Sequence, residues 1–503
     1  MRFVSSSKFA LNRAPKLFLI FSSTVRKARR PEAALVALFL MAAVSSSCIS
    51  AHRTPNLENI FAESRARTGK RPVIVIPGIL GSELINSKTG EVVWPSAFRS
   101  SDDGLPMTPN LEGNHDDLVP GKIIETVRLA RALPEVYVYR DLLEALRLYA
   151  GYREADWNNP GTDGDKDTFY VFAYDWRRDN VENARELFRR IERLKATLHR
   201  DDLKFNVIAH SMGGLIARYA AMYGNQDLPQ GEAPLQPTWA GAQHISKIVM
   251  IGVPNEGSAD AFATLIAGYS ITEGLRRRVP LLNKLTAEDA VRSPAVFQLL
   301  PHPASVRFLD ENLKPLPLDL YDVEVWKKYG WSPIYTQEFR RRYTNHKSES
   351  PSAEADLDVY LAAMLKRARR FQAALDAGSV ANQPVALLAM GGDCEETLNS
   401  PVLYRDQKEN RWVTLIRPRE FRNSSGQKIS KRQLTEAMYA PGDGRVTRKS
   451  LLGENVLTME GHETVIHLPL TYAVFGCDLH GQLQRNKSLQ DNALTAIVGE
   501  ILK

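Results

Sequence analysis

The sequence has only three cysteines, and they show no metal-ligand spacing. It also lacks internal repeats, low-complexity tracts and heptad runs, which excludes solenoids and coiled coils. With 44% hydrophobic and 24% charged residues, the chain has an ordinary globular composition. Its 503 residues are enough for one large hydrophobic core and an additional module.

The folded part of the chain carries no excess charge. Residues 1–47 contain eight lysines and arginines and a single acidic residue, Glu32, and they account for the whole net charge of +7. A nucleic-acid-binding protein needs a basic surface on its folded body. The charge pattern therefore excludes nucleic acid as a partner.

The N-terminal segment has the order of a secretory signal. The basic stretch 26–30 precedes an apolar run, Ala33–Val44, and three serines then lead to Cys48. The apolar run is too short to span a bilayer as a mature helix. We expect residues 1–48 to be a signal segment and the protein to be exported: periplasmic, secreted or membrane-anchored. The residues before Cys48 loosely resemble a bacterial lipoprotein cleavage site, and in the anchored case Cys48 carries the lipid.

Strand and helix patterns alternate through the first half of the chain. Val73–Ile76 is a short, continuously apolar and β-branched run closed by Pro77 and Gly78, which is typical of a strand buried on both faces. Strands that alternate with amphipathic helices predict an α/β fold with a mostly parallel sheet. The other predicted elements are the strands Phe169–Ala173, Phe205–Ala209 and Ile248–Ile251 and the helices Val181–Leu198 and Leu215–Tyr223.

Two insertions interrupt the predicted sheet domain. We assign residues 69–257 and 383–503 to the sheet domain, residues 258–382 to a helical cap, and residues 49–68 to a linker. The other insertion, residues 96–125, is rich in Asp, Asn, Gly and Pro and is predicted to be a loop. Further predicted elements are the cap helix Leu357–Leu375, the strands Val385–Met390 and Tyr472–Phe475, a hairpin over residues 401–418 and a closing helix, Leu489–Leu502.

The most specific motif is Ala209-His210-Ser211-Met212-Gly213, which joins a predicted strand directly to a predicted helix. A strand, a sharp turn and a helix form the setting of a nucleophile elbow, in which a strained serine projects its hydroxyl from the sheet. Ala209 and Gly213 are small enough for the strand and the helix to approach closely. We therefore predict an α/β-hydrolase fold with helices on both faces of the sheet and Ser211 as the nucleophile. His210 is expected to support the elbow.

A serine nucleophile needs an imidazole to take its proton and a carboxylate to orient that imidazole. In this fold the chain order is serine, acid, histidine. His480 is the predicted base because it follows the last predicted strand, whereas the second choice, His467, precedes that strand. For the acid, Asp443 lies in a glycine-flanked turn and Asp393 follows the strand that ends at Met390. Position alone leaves both aspartates open.

An acyl-transfer intermediate carries an anionic oxygen that needs backbone N–H donors aimed at it. One predicted donor is the N–H of Met212, which follows the nucleophile. The other should come from the loop after the first strand, where Ile79 is the candidate and Leu80 the alternative.

Several blocks of sequence make the chain similar to the lecithin:cholesterol acyltransferase family, which includes lysosomal phospholipase A2 and phospholipid:diacylglycerol acyltransferases. Tyr174-Asp175-Trp176-Arg177 matches a Y-D-W-R block that general hydrolases lack. Residues 442–446 are similar to the family's G-D-G-T-V turn. The other blocks are residues 75–82, 208–214, 251–258 and 480–492.

The resemblance implies a triad of Ser211, Asp443 and His480, and it thereby favours Asp443 over Asp393. It also implies acyl transfer from a lipid ester, of the phospholipid type, to an acceptor alcohol or to water, with no metal and no organic cofactor. The family's cap and early insertion help it bind lipid surfaces, and the same is expected here. Two other hypotheses stay open: a general carboxylesterase or lipase, and an inactive lipid-binding surface protein.

Two of the three cysteines, Cys394 and Cys477, follow predicted strands that should be neighbours in this fold. In an oxidising compartment they can form a disulfide. Two ordinary buried thiols are the alternative, and the sequence leaves both open.

Overall fold

A seven-stranded sheet forms the centre of the protein. The computed structural model describes residues 54–96, 104–109, 116–127, 136–229, 231, 233, 235–270, 284–302, 308–346, 352–377, 383–459 and 462–500. The sheet strands are β1 (Val73–Ile76), β2 (Arg153–Glu154), β3 (Thr168–Val171), β4 (Phe205–His210), β5 (Ile245–Ile251), β6 (Ala386–Gly392) and β7 (Leu470–Gly476). Their order is β7-β6-β5-β4-β1-β3-β2, and every neighbouring pair is parallel. The predicted α/β fold with a mostly parallel sheet is confirmed.

Helices cover both faces of the sheet, which explains why every residue of β1 is buried. Ile74 and Ile76 pack in one hydrophobic cluster with the helices α1 (Asn180–Leu198) and α2 (Met212–Tyr223). Val73 and Val75 belong to a second cluster with the C-terminal helix Lys487–Val498. Successive side chains of a strand point to opposite faces, so a continuously apolar strand is buried only where both faces are covered.

Helix α1 illustrates how local sequence sets the element boundaries. The carboxylate of Asp179 accepts a hydrogen bond from the backbone N–H of Val181 at 2.8 Å and so caps the N-terminus. The helix ends where His199 adopts a left-handed backbone with φ of 51°. Leu187 and Ile191, four residues apart, are buried on the face that meets the sheet. The observed helix α1 begins one residue before the predicted helix, Val181–Leu198.

The remaining elements are shorter or lie outside the sheet. The α-helices are Leu57–Ile60, Ala62–Ala66, Arg140–Glu144, Ala259–Ala267, Ala287–Val291, Pro294–Phe297, Val323–Tyr329, Gln337–His346, Ser352–Asp376, Lys431–Met438 and Arg448–Leu452, with a π-helix at Ala145–Tyr149 and 3₁₀-helices at Ala240–Gln243, Pro333–Tyr335 and His480–Arg485. The strands are Ser82–Asn86, Val92–Trp94, Leu118–Ile123, Thr126–Val127, Val136–Tyr137, Tyr269–Ser270, Lys284–Leu285, Phe308–Leu309, Pro315–Leu316, Glu395–Leu398, Val402–Asp406, Arg411–Leu415, Phe421–Arg422, Lys428–Ile429, Tyr439–Gly442, Asn455–Met459 and His462–Ile466. Within the described ranges, no helix combines the length and the apolar character that crossing a membrane requires.

The insertion between β5 and β6 is mainly helical where it is described, and the predicted cap helix lies within Ser352–Asp376. The predicted hairpin is also present, as the antiparallel strands Val402–Asp406 and Arg411–Leu415. Its first strand lies parallel to Phe308–Leu309, which belongs to the insertion. A four-stranded sheet therefore joins the insertion to the chain that follows β6, a connection that the sequence did not predict.

The segment that we assigned to a linker is helical in part of its described length. Leu57–Ile60 and Ala62–Ala66 are helices. Leu57 and Phe61 lie four residues apart, and both are buried in the hydrophobic cluster that contains the C-terminal helix. The expectation of an irregular chain is wrong at these residues, because two apolar side chains at helical spacing find a core to pack against.

The early insertion, residues 96–125, is not a loop throughout. Leu118–Ile123 is a strand that pairs antiparallel with Ser82–Asn86. Pro120 and Gly121 in its middle disfavour a strand locally, so the sequence indicated a loop. Pairing with a neighbouring strand outweighs that local preference here.

Cys394 and Cys477 form a disulfide, with their Cα atoms 5.3 Å apart. They follow β6 and β7, which are neighbours in the sheet as predicted. Of the two states that the sequence left open, the structure has the disulfide.

A buried arginine ties the early insertion to the sheet domain. Arg177 is 1% exposed, and its guanidinium donates hydrogen bonds to the carboxylates of Asp175 and Asp116, each at 2.7 Å. It also donates to the backbone carbonyl of Leu105 at 2.8 Å. Asp116 and Leu105 belong to the insertion, whereas Asp175 follows β3. The planar guanidinium suits this role because it presents several donors in a fixed geometry.

Replacing Arg177 by methionine should lower the free energy of unfolding by about 3 kcal/mol, because the buried Asp175 carboxylate loses its closest guanidinium and keeps only that of Arg178, at 3.3 Å. Urea-induced unfolding followed by tryptophan fluorescence measures this change. Arg193→Met is the matched control, since the Arg193 side chain is 69% exposed beside Glu186. The control should change the unfolding free energy by less than about 0.5 kcal/mol. Equal losses in the two variants would contradict the role of Arg177.

Candidate active site

Ser211 lies at the junction of β4 and α2, in a strained turn. Its backbone has φ of 52° and ψ of −129°, a conformation that a residue other than glycine adopts only when its surroundings impose it. The Ser211 N–H donates a hydrogen bond to the carbonyl of Ile251 in β5 at 2.8 Å. Its own carbonyl accepts one from the N–H of Gly214 at 3.0 Å. The strand, turn and helix that the motif predicted are present.

Two glycines allow α2 to begin directly against the sheet. A Cβ added to Gly213 would lie 2.5 Å from the carbonyl oxygen of Pro77. A Cβ added to Gly214 would lie 2.2 Å from a methyl carbon of Val253. Both contacts are far below van der Waals distance, so both positions require glycine. This close packing brings the Pro77–Gly81 loop up to the Ser211 side chain.

The side chains of Ser211, His480 and Asp443 form a continuous hydrogen-bonded row. The Ser211 hydroxyl lies 2.9 Å from Nε2 of His480, and Nδ1 of His480 lies 2.8 Å from Oδ2 of Asp443. When Nδ1–H donates to the carboxylate, Nε2 is left to accept the serine proton. The residues are 7%, 9% and 2% exposed, in the same order, so little water competes for these bonds. The structure thus brings together the three residues that were chosen from the sequence.

Backbone groups hold the Asp443 carboxylate in position. Its Oδ1 accepts hydrogen bonds from the N–H of Arg445 at 3.0 Å and of Val446 at 2.7 Å, which leaves Oδ2 to face His480. The backbone N–H of His480 also donates to the Asp443 carbonyl at 2.8 Å. The acid turn and the histidine loop are therefore joined through both the main chain and the side chains.

The alternative acid and base lie apart from this row. The carboxylate of Asp393 faces the guanidinium of Arg448 at 3.6 Å. The side chain of His467 is 56% exposed, with the carboxylate of Glu454 at 3.9 Å. Within the described residues, neither forms a hydrogen bond to Ser211 or His480.

The two predicted oxyanion donors, the N–H groups of Ile79 and Met212, belong to residues close to Ser211. Met212 follows it in the chain. Ile79 follows Gly78, where an added Cβ would lie 2.8 Å from Cβ of Ser211. Across the described ranges, no hydrogen bond uses either N–H. Leu80, the alternative donor, is one residue farther from that contact.

Three buried aromatic side chains fix the loop that contains Ile79. Each uses its polar atom on a backbone group of the loop: the Tyr174 hydroxyl donates to the Pro77 carbonyl at 2.9 Å, the Trp94 indole donates to the Leu80 carbonyl at 3.0 Å, and the Tyr139 hydroxyl accepts the Gly78 N–H at 2.7 Å. Leu80 has φ of 64°, so the loop holds a second strained residue beside the elbow.

This arrangement gives the Y-D-W-R block a physical role. Tyr174 holds the Pro77 carbonyl, and the Trp176 indole donates to the carbonyl of Ser82 at 3.3 Å, just after the loop. The Ser82 hydroxyl in turn accepts the backbone N–H of Tyr174 at 3.2 Å. The block therefore supports the loop that we expect to bind the oxyanion.

No sequence pattern pointed to Trp94 or Tyr139. Each lies outside the recognised blocks. Trp94 acts on a backbone group 14 residues away in the chain, and Tyr139 acts on one 61 residues away. Their one shared property, a large aromatic side chain with a polar atom, is too common to single them out.

His210 is a buried, neutral histidine beside the triad. Burial lowers its pKa to about 3, and the proximity of His480 acts in the same direction. The two rings have their centroids 4.9 Å apart. The expectation that His210 supports the elbow agrees with this placement, since His480 forms the hydrogen bonds to Ser211 and Asp443.

Comparisons with known proteins agree with this architecture. The family model described as lecithin:cholesterol acyltransferase matches residues 158–365, which include Ser211. A phospholipase A(1), LCAT3, of Arabidopsis thaliana is 25% identical over 292 residues, which cover 53% of this chain. The match spans little more than half, 57%, of that relative.

Among solved structures, a chain in the crystal structure of the Tle4-Tli4 complex superposes with a TM-score of 0.54. It is 14% identical, and the match covers 86% of this chain and 98% of that one. The mature form of the Bacillus licheniformis lipase BlEst2 matches with a TM-score of 0.32 and 12% identity, over 86% of this chain and 92% of that one.

The parallel sheet and the elbow at the end of its central strand define an α/β-hydrolase fold, as predicted. The family match and the curated relative confirm the resemblance that was read from the sequence blocks. The chain therefore has an α/β-hydrolase fold and is similar, over residues 158–365, to the lecithin:cholesterol acyltransferase family.

The low pKa of His210 predicts that its ring stays neutral from pH 8 to pH 4, while an unperturbed histidine titrates near 6.5. The unfolded chain takes up that proton as the pH falls below about 6.5, but the folded chain does not until about pH 3. The free energy of unfolding should therefore decrease as the pH is lowered from about 6.5 towards about 3. Histidine-ring nuclear magnetic resonance measures the titration, and a His210 ring that protonates between pH 5 and 7 would contradict the prediction.

Proposed function

We propose that the protein is a serine-dependent acyltransferase or lipase that acts on lipid acyl esters, with a phospholipid-type acyl donor. The observation that carries the proposal is the hydrogen-bonded row from the Ser211 hydroxyl through the His480 imidazole to the Asp443 carboxylate. A serine hydroxyl is a weak nucleophile, and an adjacent base that is oriented by a carboxylate is what activates it.

The proposed reaction proceeds in two halves. Ser211 attacks the ester carbonyl while Nε2 of His480 takes the serine proton, and Asp443 stabilises the imidazolium that forms. The N–H groups of Met212 and Ile79 bind the oxyanion. Nε2–H then protonates the leaving alcohol as the acyl-enzyme forms. In the second half, Nε2 of His480 removes a proton from an acceptor alcohol or water, which attacks the acyl carbonyl. The bond to the Ser211 oxygen then breaks, and Nε2–H returns the proton to that oxygen.

Apolar surface beside the triad supports a lipid substrate. Leu479, which precedes His480, is 47% exposed, and its side chain lies against Gly444 of the acid turn. A cavity of about 350 Å³ is lined in part by Gly444 and Arg445 of the same turn. Its lining mixes apolar and charged side chains, among them Leu398, Ile416 and Arg445, which suits an amphiphilic molecule. The relative from Arabidopsis thaliana, which is named a phospholipase A(1), points in the same direction.

The other two hypotheses lack a comparable supporting observation. A general carboxylesterase needs the same row of three side chains, but the Y-D-W-R block and the family match favour the lipid-directed reading. An inactive lipid-binding protein has no need of a hydrogen-bonded serine, histidine and aspartate that are all shielded from water.

We also propose that the protein acts outside the cytoplasm, with residues 1–48 as its signal segment and Cys48 lipidated where the protein is membrane-anchored. Residues 1–48 lie outside the described part of the chain, so the proposal rests on their order of charged, apolar and small residues. The disulfide between Cys394 and Cys477 supports it, because disulfides persist in oxidising compartments.

Ser211→Ala should lower kcat for an ester substrate by at least about 10⁴-fold, because no other hydroxyl takes the place of the nucleophile. Asp443→Asn should lower kcat by about 10³- to 10⁴-fold, because the imidazole loses its orienting carboxylate. Asp393→Asn is the matched control, since its carboxylate faces Arg448 instead, and it should stay within about twofold of wild type. A larger loss in Asp393→Asn than in Asp443→Asn would reverse the choice of acid.

The substrate class can be tested with vesicles of phosphatidylcholine, with and without a long-chain alcohol, against a short soluble nitrophenyl ester. We expect a fluorophosphonate probe to label Ser211, and acyl release from the vesicles to exceed hydrolysis of the soluble ester. An ester of the added alcohol identifies transfer, and free fatty acid alone identifies hydrolysis. Turnover of the soluble ester alone would assign a general carboxylesterase, and the absence of both turnover and labelling would favour an inactive protein.

A further inference from the structure

A chain of buried hydrogen bonds links the oxyanion loop to the histidine loop by way of Tyr139 and His210. The Gly78 N–H lies 2.7 Å from the Tyr139 hydroxyl, and that hydroxyl lies 2.8 Å from Nδ1 of His210. Nε2 of His210 lies 3.2 Å from the backbone carbonyl of His480. Tyr139 is 2% exposed and His210 6%, so every bond of this chain lies inside the protein.

Chemistry fixes the direction of each bond in the chain. The His480 carbonyl can only accept, so Nε2 of His210 must carry a proton and donate it. Because His210 is neutral, its Nδ1 then has a lone pair and can only accept. The single proton of the Tyr139 hydroxyl therefore goes to Nδ1, and the oxygen of that hydroxyl accepts the Gly78 N–H. Burial raises the pKa of Tyr139, so its hydroxyl keeps that proton.

One end of this chain of hydrogen bonds lies at the loop that is expected to bind the oxyanion, and the other end lies at the loop that carries the base. Gly78 directly precedes Ile79, whose N–H is the candidate oxyanion donor, and it packs against Ser211. His480 carries the imidazole that takes the serine proton. Tyr139 also packs closely against Gly81, where an added Cβ would lie 2.9 Å from a ring carbon of Tyr139. One buried network therefore fixes the distance between the loop that binds the oxyanion and the loop that carries the base.

We propose that Tyr139 and His210 are positioning residues, which hold the Ile79 N–H and the His480 imidazole in register with the Ser211 hydroxyl. The proposal rests on the proposed function. Neither residue touches the reacting atoms in this scheme: Tyr139 acts through Gly78, and His210 acts through Tyr139 and the His480 carbonyl. Their contribution belongs to the transition state, in which the oxyanion and the imidazolium form together.

Tyr139→Phe removes the hydroxyl and keeps the ring, so it isolates the hydrogen bonds. It should lower kcat by about 10- to 100-fold, less than the loss of an oxyanion donor itself, and should change KM by less than about threefold. A boronate that forms a tetrahedral adduct on Ser211 should inhibit the variant more weakly by the same factor. The pH at which kcat/KM is half-maximal should not move, because His480 and Asp443 keep their hydrogen bond.

Tyr170→Phe is the matched control. Tyr170 is also fully buried, and its hydroxyl donates to the Gly164 carbonyl at 2.7 Å, in a part of the fold that does not contact the triad. The control should lower the melting temperature to a similar extent as Tyr139→Phe but leave kcat and boronate inhibition within about twofold of wild type. This comparison separates a positioning role from a general loss of stability.

A second variant, His210→Leu, tests whether the two residues act as one unit. The double variant Tyr139→Phe/His210→Leu should lose no more kcat than the more damaged single variant, because either change already breaks the chain. Losses that multiply would overturn the proposal. A Tyr139→Phe protein whose kcat stays within about twofold of Tyr170→Phe would overturn it as well.

Ring nuclear magnetic resonance of the wild-type protein tests the network without any variant, should Tyr139→Phe fail to fold. The Nε2–H tautomer of His210 is expected, and the Nδ1–H tautomer would overturn the proposal. Ser211→Ala in the same kinetic assay distinguishes a failure of the proposed function from a failure of the positioning role. A Ser211→Ala protein as active as wild type removes the proposed function itself. An inactive Ser211→Ala protein beside a fully active Tyr139→Phe protein removes only the positioning role.

Discussion

The left-handed backbone at Ser211 is the constraint on which the candidate site depends. Such a conformation costs about 1–3 kcal/mol for a residue other than glycine, so neighbouring contacts must hold it in place. A β5 carbonyl takes the Ser211 N–H, and α2 starts so close to the sheet that Gly213 and Gly214 accept no side chain. The hydroxyl then points towards His480, and the Gly78 backbone packs against the Ser211 side chain. The oxyanion loop and the base have to converge on this one residue.

Sequence reasoning located the serine, the histidine and the parallel sheet because each has a local pattern. Continuous apolar strands need two covered faces, and the elbow needs small residues around its serine. The acid was different, since Asp393 and Asp443 both suited the position. The structure shows why: Glu395–Leu398 pairs antiparallel with Tyr439–Gly442, so the chain leaves the end of β6 and returns to it. That return places Asp443 against Gly392 of β6, and no local pattern encodes it.

The supporting residues and the small sheets could not be predicted from the sequence, for a related reason. Tyr139 holds a backbone group 61 residues away in the chain, and the strand Leu118–Ile123 exists only because Ser82–Asn86 lies beside it. Hydrophobic spacing predicts which face of an element is buried, but it does not predict which distant backbone atom a buried hydroxyl meets. The side chains that carry the proposed chemistry were therefore easier to find than the side chains that hold them in place.

The four-stranded sheet that joins the insertion to the hairpin after β6 limits how this protein can be redesigned. Cutting out residues 258–382 would strip Phe308–Leu309 from the flank of Val402–Asp406 and leave that strand with an open edge. An uncovered edge invites pairing with other chains, and the buried Val402 and Tyr404 side chains would lose part of their apolar surroundings. A graft of the cap from a relative would therefore have to bring residues 402–415 with it, because the two pieces form one structural unit.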